Sequence, residues 1–339
     1  MERFLAGLDA EILVGRGLAV RLPERAGREK VAVLTQPGTP AALAAEVASQ
    51  IPDVETALIE LPDREAAKEL DAVGTVYDRL VDFNLGRHDS ILGVGGGALT
   101  DVAGFVAATW LRGVESILVP TTLLAAVDAS IGGKTGINRH GKNLVGAFWH
   151  PSRVIVDLDH LDGLPDSLRL EGSAEVIKAG CIADPVIVEQ YARHGLDADL
   201  DVVVPRAIAV KAGIVGDDFR ESGRRALLNF GHTIGHAVEI LAPLPHGLAV
   251  SVGMVAAGVV SNHRYGFDVG WLTDLLFSTG LPVAAAGVSK PAAMELIGRD
   301  KKRSAEGVRM VLLRAISDPV VDVVSSEEIE AALDAVGAV

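Results

Sequence analysis

The sequence predicts a two-domain protein: an α/β N-terminal domain (1–160) built on a parallel sheet, followed by an all-helical C-terminal domain (161–339). Three observations predict it. From Lys30 to Asp157, short β-branched runs alternate with segments of helical period, as strands joined by crossover helices do. From about Pro165 onward the runs are longer, rich in Ala and Leu, and mostly helical in period. The chain has 339 residues, is 49% hydrophobic and has a mean hydropathy of +0.33, enough for two buried cores.

Five segments read as short buried strands: Lys30–Thr35, Glu55–Glu60, Ser90–Val94, Glu115–Val119 and Arg153–Asp157. The run Gly93–Asp101 leaves the third of them and enters a helix. Its glycines make either a tight turn or a cradle where a phosphate meets backbone N–H groups at a helix N-terminus. Asp101 there caps the helix or binds a ribose. The letters can be forced into Gly-x-Gly-x-x-Ala, but that fingerprint belongs in the first βα unit and this is a later one, so the fit to a Rossmann dehydrogenase is poor. Downstream, Arg112, Lys134 and Lys142 stand among glycines, hydroxyls and amides, with Asp128 the only acid from Val127 to Asn143. Such loops suit phosphate or carboxylate. Gly132-Gly-Lys-Thr135 resembles the end of a P-loop, yet the upstream glycine is absent, which excludes an ATPase reading.

In the second half, Glu175 and Lys178 lie three apart inside an apolar helical run, where a carboxylate needs a partner. The stretch Arg225–Glu239, read as one helix, puts Arg225, Asn229, His232 and His236 on a single stripe, with Phe230, Ile234, Ala237 and Val238 opposite. That face suits a metal or an anion better than water. Two histidines four apart can reach one cation but supply only part of its ligands. His246 follows beyond the break Ala242–Pro245, and two imidazoles with one carboxylate make a familiar catalytic zinc set with an open position. The apolar stretch Leu248–Val260 is too short to span a bilayer and reads as a buried helix.

A net charge of −14 argues against general nucleic-acid binding, so an anionic ligand needs a local basic cluster. The single cysteine, Cys181, excludes an internal disulfide and fits packing in a reducing cytoplasm. The first residues, Met1–Leu5, lack the pattern of a secretory signal. No membrane partner is expected.

Ten motifs in order carry a resemblance over nearly the whole length: Pro62–Lys68, Gly95–Asp101, Trp110–Val114, Pro120–Leu124, Val127–Ile137, Gly141–Phe148, Ala174–Lys178, Leu228–Ala237, His246-Gly247 and Asp300–Lys302. With them the chain resembles the 3-dehydroquinate synthase family of sugar phosphate cyclases. The resemblance implies an NAD-binding first domain, a metal- and substrate-binding helical domain, and an active site in the cleft. It implies a cytoplasmic homodimer acting on a small sugar phosphate, with NAD and Zn2+ (or Co2+) as cofactors. The reaction is conversion of 3-deoxy-D-arabino-heptulosonate 7-phosphate to 3-dehydroquinate and phosphate by oxidation, phosphate elimination, reduction and intramolecular aldol closure.

By the same resemblance the metal is held by Glu175, His232 and His246, which leaves His236 as a proton-transfer or phosphate-contacting group. His236, Lys178, Lys211, Asn229 and Arg225 are then catalytic. Arg112, Asp128, Lys134, Lys142, Asn143, Lys301 and Lys302 bind substrate, Arg112 from across a dimer interface. NAD meets Asp63, Glu65, Lys68, Gly95, Gly96, Gly97, Thr100, Asp101, Thr121, Thr122, Lys134, Lys142 and the stretch His160, Leu161, Asp162, Gly163. Four departures stand out: Thr100 and Gly163 replace a common Gly and Thr, Leu248 replaces the acidic residue common after His-Gly, and the segment before Lys142 is one residue short. The competing readings are a sibling cyclase acting on sedoheptulose 7-phosphate, a metal-dependent polyol dehydrogenase, and a non-catalytic metal- and nucleotide-binding protein. Arg225, Asn229 and Lys211 favour a carboxylate-bearing substrate, and a dehydrogenase has no need of Arg112, Asn143 and the Lys301-Lys302 pair.

Overall fold

A computed structural model describes residues 1–5, 10–18, 26–242, 244–301 and 307–339. They fall into two units, Met1–Leu164 with Lys211–Arg220 and Pro165–Val210 with Glu221–Val339. The first is organised by a seven-stranded sheet. In chain order its unit runs β1 (Glu2–Leu5), β2 (Glu11–Gly15), β3 (Lys30–Thr35), α1 (Thr39–Ser49), β4 (Glu55–Glu60), α2 (Leu70–Asp82), β5 (Ser90–Gly95), α3 (Gly97–Thr109), β6 (Glu115–Pro120), β7 (Lys134–Ile137), β8 (Val145–Phe148), β9 (Arg153–Asp157) and α4 (Leu158–Asp162). The sheet order is β1-β2-β9-β6-β5-β3-β4. Every pairing is parallel except the edge pair β1–β2.

The five expected strands are β3, β4, β5, β6 and β9. Their apolar runs are long enough for a strand and too short for a helix, and β5 is buried at all of its positions. Val31, Val33, Leu92, Val94, Ile117, Val119 and Ile155 bury one face of the sheet against Leu43, Ala44 and Val47 of α1. Each such side chain contributes about 1.5–3 kcal/mol of transfer free energy. Helix α3 is buried nearly all round, from Leu99 to Ala107. Its close approach to β5 needs Gly93, where a Cβ would lie 2.6 Å from the Ala103 side chain.

The second unit contains α5 (Asp166–Ala183), α6 (Pro185–His194), the first part of α7 (Leu200–Asp217), α8 (His232–Leu241), α9 (His246–Tyr265), α10 (Val269–Thr279), α11 (Lys290–Lys301), a hairpin of β10 (Val308–Ala315) and β11 (Asp318–Val324), and α12 (Ser326–Ala335). The expected all-helical description narrows to helical with one hairpin. Met310, Val311, Leu312 and Leu313 are all buried, and a run buried on both faces gives no period from which to tell strand from helix. Among the described residues no helix is long and apolar enough to cross a membrane. Cys181 is buried in α5, and burial pushes its thiol up to about 12, as suits a packing residue.

The last turn of α9 ties down the C-terminal helix. Arg264 forks onto Glu328, Nε donating to Oε1 and Nη2 to Oε2 at 2.6 Å each, while Glu328 closes a capping box with Ser325. The Arg264 bonds outweigh burial and hold Glu328 at about 2, against an ordinary 4.5. A carboxylate lowered on folding stabilises above its unfolded pKa, and that stability is lost as pH falls through the folded value. Glu328→Gln is therefore expected to lower stability by on the order of 1–2 kcal/mol at neutral pH, the figure being reduced for solvent screening. Its melting temperature should converge with the parent's between pH 4.5 and about 2; a gap that stays constant over that window would refute the assignment.

Candidate metal centre and dinucleotide crevice

The stripe expected over Arg225–Glu239 is not one helix. Arg224–Asn229 forms a 3-10 turn, Phe230 is extended, and Gly231, at φ 80°, starts α8 from the left-handed region. Packing explains the break. Gly231 faces α9, and a Cβ there would lie 2.7 Å from Met254 Cγ and 2.9 Å from Val250 O. Arg225 is consequently buried in the turn, and His232 becomes the first residue of α8. His236 lies one turn on, exposed, with its ring centroid 5.1 Å from that of His232.

Glycine contacts then bring three helices to their limit of approach. A Cβ on Gly253 of α9 would sit 1.9 Å from Gly231 O, and one on Gly247 would sit 2.0 Å from Glu171 O of α5. The first residues of α8 and α9 are thereby held against α5, and Glu175, His232 and His246 converge. Glu175 Oε1 lies 3.6 Å from both His232 Nε2 and His246 Nε2. That is too long for a hydrogen bond. Ligands about 2.1 Å from a tetrahedral ion stand about 3.4 Å apart, so the spacing fits a divalent cation with one open position. Both imidazoles are turned correctly. His232 Nδ1 lies 3.2 Å from Phe230 O and His246 Nδ1 lies 3.1 Å from Glu239 Oε2, so each donates outward and leaves Nε2 for the cation.

Burial and the neighbouring charges shift all three groups. Burial alone would raise the pKa of Glu175, but the Lys178 ammonium paired with its Oε2, and the imidazoles beside it, hold it well below the usual range. Burial and Lys178 push His232 down to about 3. Burial also opposes charge on His246, yet the Glu175 and Glu239 carboxylates outweigh it and raise the ring to about 10. A second triad, His236, Glu239 and His246, also has ligand atoms within 4.8 Å of one another. It shares His246 with the first.

In the same unit Asn229 Nδ2 donates to Glu221 Oε1 at 2.7 Å, and Glu221 occupies a left-handed conformation at φ 58°. A non-glycine residue held there is a functional candidate that sequence reasoning missed. Lys301 ends α11, and its side chain and all of Lys302 lie outside the described residues.

In the first unit the sheet order places a crevice. After β3 the chain moves to β4 on one side, and after β5 to β6 on the other, so the carboxyl ends of β3 and β5 flank a switch point where α/β sheets bind ligands. Gly95, Gly96 and Gly97 stand there. A Cβ on Gly95 would lie 2.4 Å from Leu99 Cδ2, and no side chain caps α3, which leaves its first N–H groups for an anion. Asp101 does not cap; it accepts from Lys68 Nζ at 2.6 Å, and burial raises it to about 6 despite that lysine. Thr100 Oγ1 donates to Gly97 O at 2.9 Å, so its hydroxyl proton is spent within the helix. Thr121 N donates to Gly95 O at 2.9 Å, and Thr122 Oγ1 accepts from Ala125 N.

Two residues at this crevice escaped sequence reading. Gln36 directly follows β3, its Nε2 donating to Pro62 O and Arg64 O, beside the exposed Asp63. Asn138 Nδ2 donates to Glu65 Oε2 at 2.9 Å while its Oδ1 accepts from Asn143 N at 3.0 Å, joining the Glu65 turn to the loop that carries Asn143. Lys134, Lys142 and Asn143 are exposed. Lys211 Nζ donates to Asp128 Oδ1 at 2.6 Å. Arg112 is exposed on a turn with φ of 48°, 67° and 127° at Leu111, Arg112 and Gly113, where the Trp149 ring leaves no room for a Cβ on Gly113. His160, Leu161, Asp162 and Gly163 follow β9 at the same end of the sheet. Leu161 is buried and Asp162 pairs with Arg16 at 2.5 Å.

A parallel sheet with a glycine crevice at its switch point and a helical unit with a two-histidine, one-carboxylate centre fit the sugar phosphate cyclases, whose solved structures share this fold. The 2-epi-5-epi-valiolone synthase of Streptomyces hygroscopicus, solved with NAD+ and Zn2+, is 27% identical with a TM-score of 0.88 over 98% of both chains. A 2-deoxy-scyllo-inosose synthase solved with carbaglucose-6-phosphate, NAD+ and Co2+ shares the fold, at 23% identity and a TM-score of 0.86 over 98% of each chain. The sequence profiles of the 3-dehydroquinate synthase N-terminal and C-terminal domains match residues 58–170 and 172–303. The 3-dehydroquinate synthase of Corynebacterium diphtheriae is 43% identical over 323 residues, 89% of this chain and 87% of its own. That of Thermobifida fusca is 44% identical over 327 residues, 92% of this chain and 89% of its own. The chain belongs to the 3-dehydroquinate synthase family.

Proposed function

We propose that this chain converts 3-deoxy-D-arabino-heptulosonate 7-phosphate to 3-dehydroquinate and phosphate, with NAD at the β3/β5 crevice and a divalent cation held by Glu175, His232 and His246. The observation that carries the reading is the position of Glu175 Oε1, 3.6 Å from two outward-donating imidazoles. When bound, NAD supplies the hydride acceptor and the cation polarises the substrate hydroxyl that is oxidised. Oxidation at C5 acidifies the neighbouring C–H, so phosphate leaves by elimination. Reduction, ring opening and an aldol closure complete the carbocycle.

The chain's own groups hold and move the rest. Arg225 and Asn229 meet the substrate carboxylate, Glu221 fixing the Asn229 amide through its NH2 group. His236, exposed beside the centre, accepts and returns protons. Asn143 and Lys142 receive phosphate on the loop that Asn138 anchors, and Lys134, the first residue of β7, meets the carboxylate and hydroxyls of the substrate. Lys68 and Asp101 receive a ribose, near Gln36 and the glycine turn. We place the enzyme in the cytoplasm as a homodimer, the strained turn offering Arg112 to a second copy.

The test is phosphate release from 3-deoxy-D-arabino-heptulosonate 7-phosphate with catalytic NAD+ and Zn2+, following nicotinamide absorbance in parallel. Phosphate and dehydroquinate are expected together, without net NADH. Accumulating NADH would replace the reading with a dehydrogenase; no phosphate release would direct the search to sedoheptulose 7-phosphate.

A further inference from the structure

His246 is gripped from both sides. Its Nε2 faces Glu175 Oε1 at 3.6 Å and its Nδ1 faces Glu239 Oε2 at 3.1 Å, so one ring lies between two carboxylates. Glu239 belongs to the last turn of α8, and its side chain is only 12% exposed. His232 is held differently, through the main-chain Phe230 O, which side-chain substitution does not remove.

We propose that Glu239 is the positioning residue of the metal centre. It accepts the Nδ1 proton of His246 and fixes the orientation that turns Nε2 toward Glu175. It does so from α8, the helix before the one that carries His246. The inference rests on the metal reading of the preceding section. An imidazole ligand whose second nitrogen is bound by a carboxylate is both better oriented and more basic, and loss of such a partner weakens a metal about 10–100-fold. Glu239 also adds a negative charge near a dication, which strengthens the same effect. The competing role for Glu239 is as a direct ligand of the His236, Glu239 and His246 triad. That role would require His246 Nδ1 to give up its proton to the ion.

The experiment measures Zn2+ affinity by competition with a chromophoric chelator, for the parent and for Glu239→Leu, Glu239→Gln, His236→Ala and Glu175→Gln. Glu239→Leu is expected to bind Zn2+ about 10–100-fold more weakly, with Glu239→Gln intermediate because its amide oxygen still accepts from Nδ1. His236→Ala is expected to stay near the parent, and Glu175→Gln to lose the metal. Melting of the metal-free variants and their NAD affinity are read alongside, and the isosteric Glu239→Gln carries the test if the Leu variant fails to fold. Glu239→Leu binding like the parent while Glu175→Gln loses metal would overturn this inference and leave the metal reading intact. Equal weakening in His236→Ala and Glu239→Leu would make Glu239 a ligand of the second triad. A parent that binds no divalent cation would remove the metal reading and this inference together.

Discussion

Gly253→Ala is expected to cost about 3 kcal/mol or more and to strip the metal centre with it. Helix propensity alone predicts the opposite sign, since Ala is about 1 kcal/mol better than Gly inside a helix. The new Cβ would stand 1.9 Å from Gly231 O, 2.7 Å from Gly235 N and 2.9 Å from Gly231 C, all main-chain atoms with no rotamer to escape into. Carbon needs about 3.5 Å of room, so α8 would have to retreat by more than an ångström. His232 is the residue after Gly231, and metal sites tolerate displacements of only about 0.2 Å. Gly74→Ala in α2 is the control: nothing lies within 4 Å of its Cβ, and propensity should stabilise it by up to about 1 kcal/mol. Urea midpoints and zinc content decide the matter. A Gly253→Ala protein as stable as the parent would show that α8 and α9 pack less closely than described.

The same contact explains what sequence reading could and could not reach. Strands β3, β4, β5, β6 and β9 were legible with nearly their observed bounds, because each is an apolar run flanked by turn residues. β2 was not, although its run Ile12-Leu13-Val14 is as apolar as Val154-Ile155-Val156 of β9. The Arg225–Glu239 period pointed to a single helix because periodicity is blind to Gly231, whose left-handed φ is imposed by α9, a distant element in sequence. Spacing likewise left three imidazoles open as ligands. Which of them meet Glu175 depends on how closely α5, α8 and α9 approach, and that is decided at Gly247 and Gly253. The family resemblance supplied a ligand set where spacing could not, and Glu175, His232 and His246 do lie together. Glu239, Glu221, Asn138 and Gln36 carry no pattern at all. Each is a single polar residue whose meaning is its partner, and for Asn138 and Glu65 the partners are 73 positions apart.

Arg28→Met is expected to destabilise the first unit by about 3–5 kcal/mol, the cost of leaving a buried charge without its partner. Arg28 and Glu115 have side chains only 6% exposed and pair directly, while Arg28 Nε donates to Ser90 Oγ at 2.9 Å and that hydroxyl donates to Glu115. Ser90 and Glu115 are register partners at the start of β5 and β6, and Arg28 enters just before β3. The cluster therefore staples three central strands at their amino ends, opposite the carboxyl ends where the crevice lies. Its effect should be on stability alone. Restoring electroneutrality with Arg28→Met and Glu115→Leu together should recover most of the loss, since apolar replacement of a buried pair is often neutral or better. Glu115→Leu alone should be as damaging as Arg28→Met, because an unpaired guanidinium is no cheaper to bury than an unpaired carboxylate. Denaturation midpoints of the two single variants and the double variant give the coupling directly. NAD affinity, read on the same proteins, should stay at the parent value. Additive losses in the double variant would mean that the pair is not coupled. A change in NAD affinity would mean that strain at the amino ends of β3, β5 and β6 is transmitted along the strands to Gly95 and Gln36.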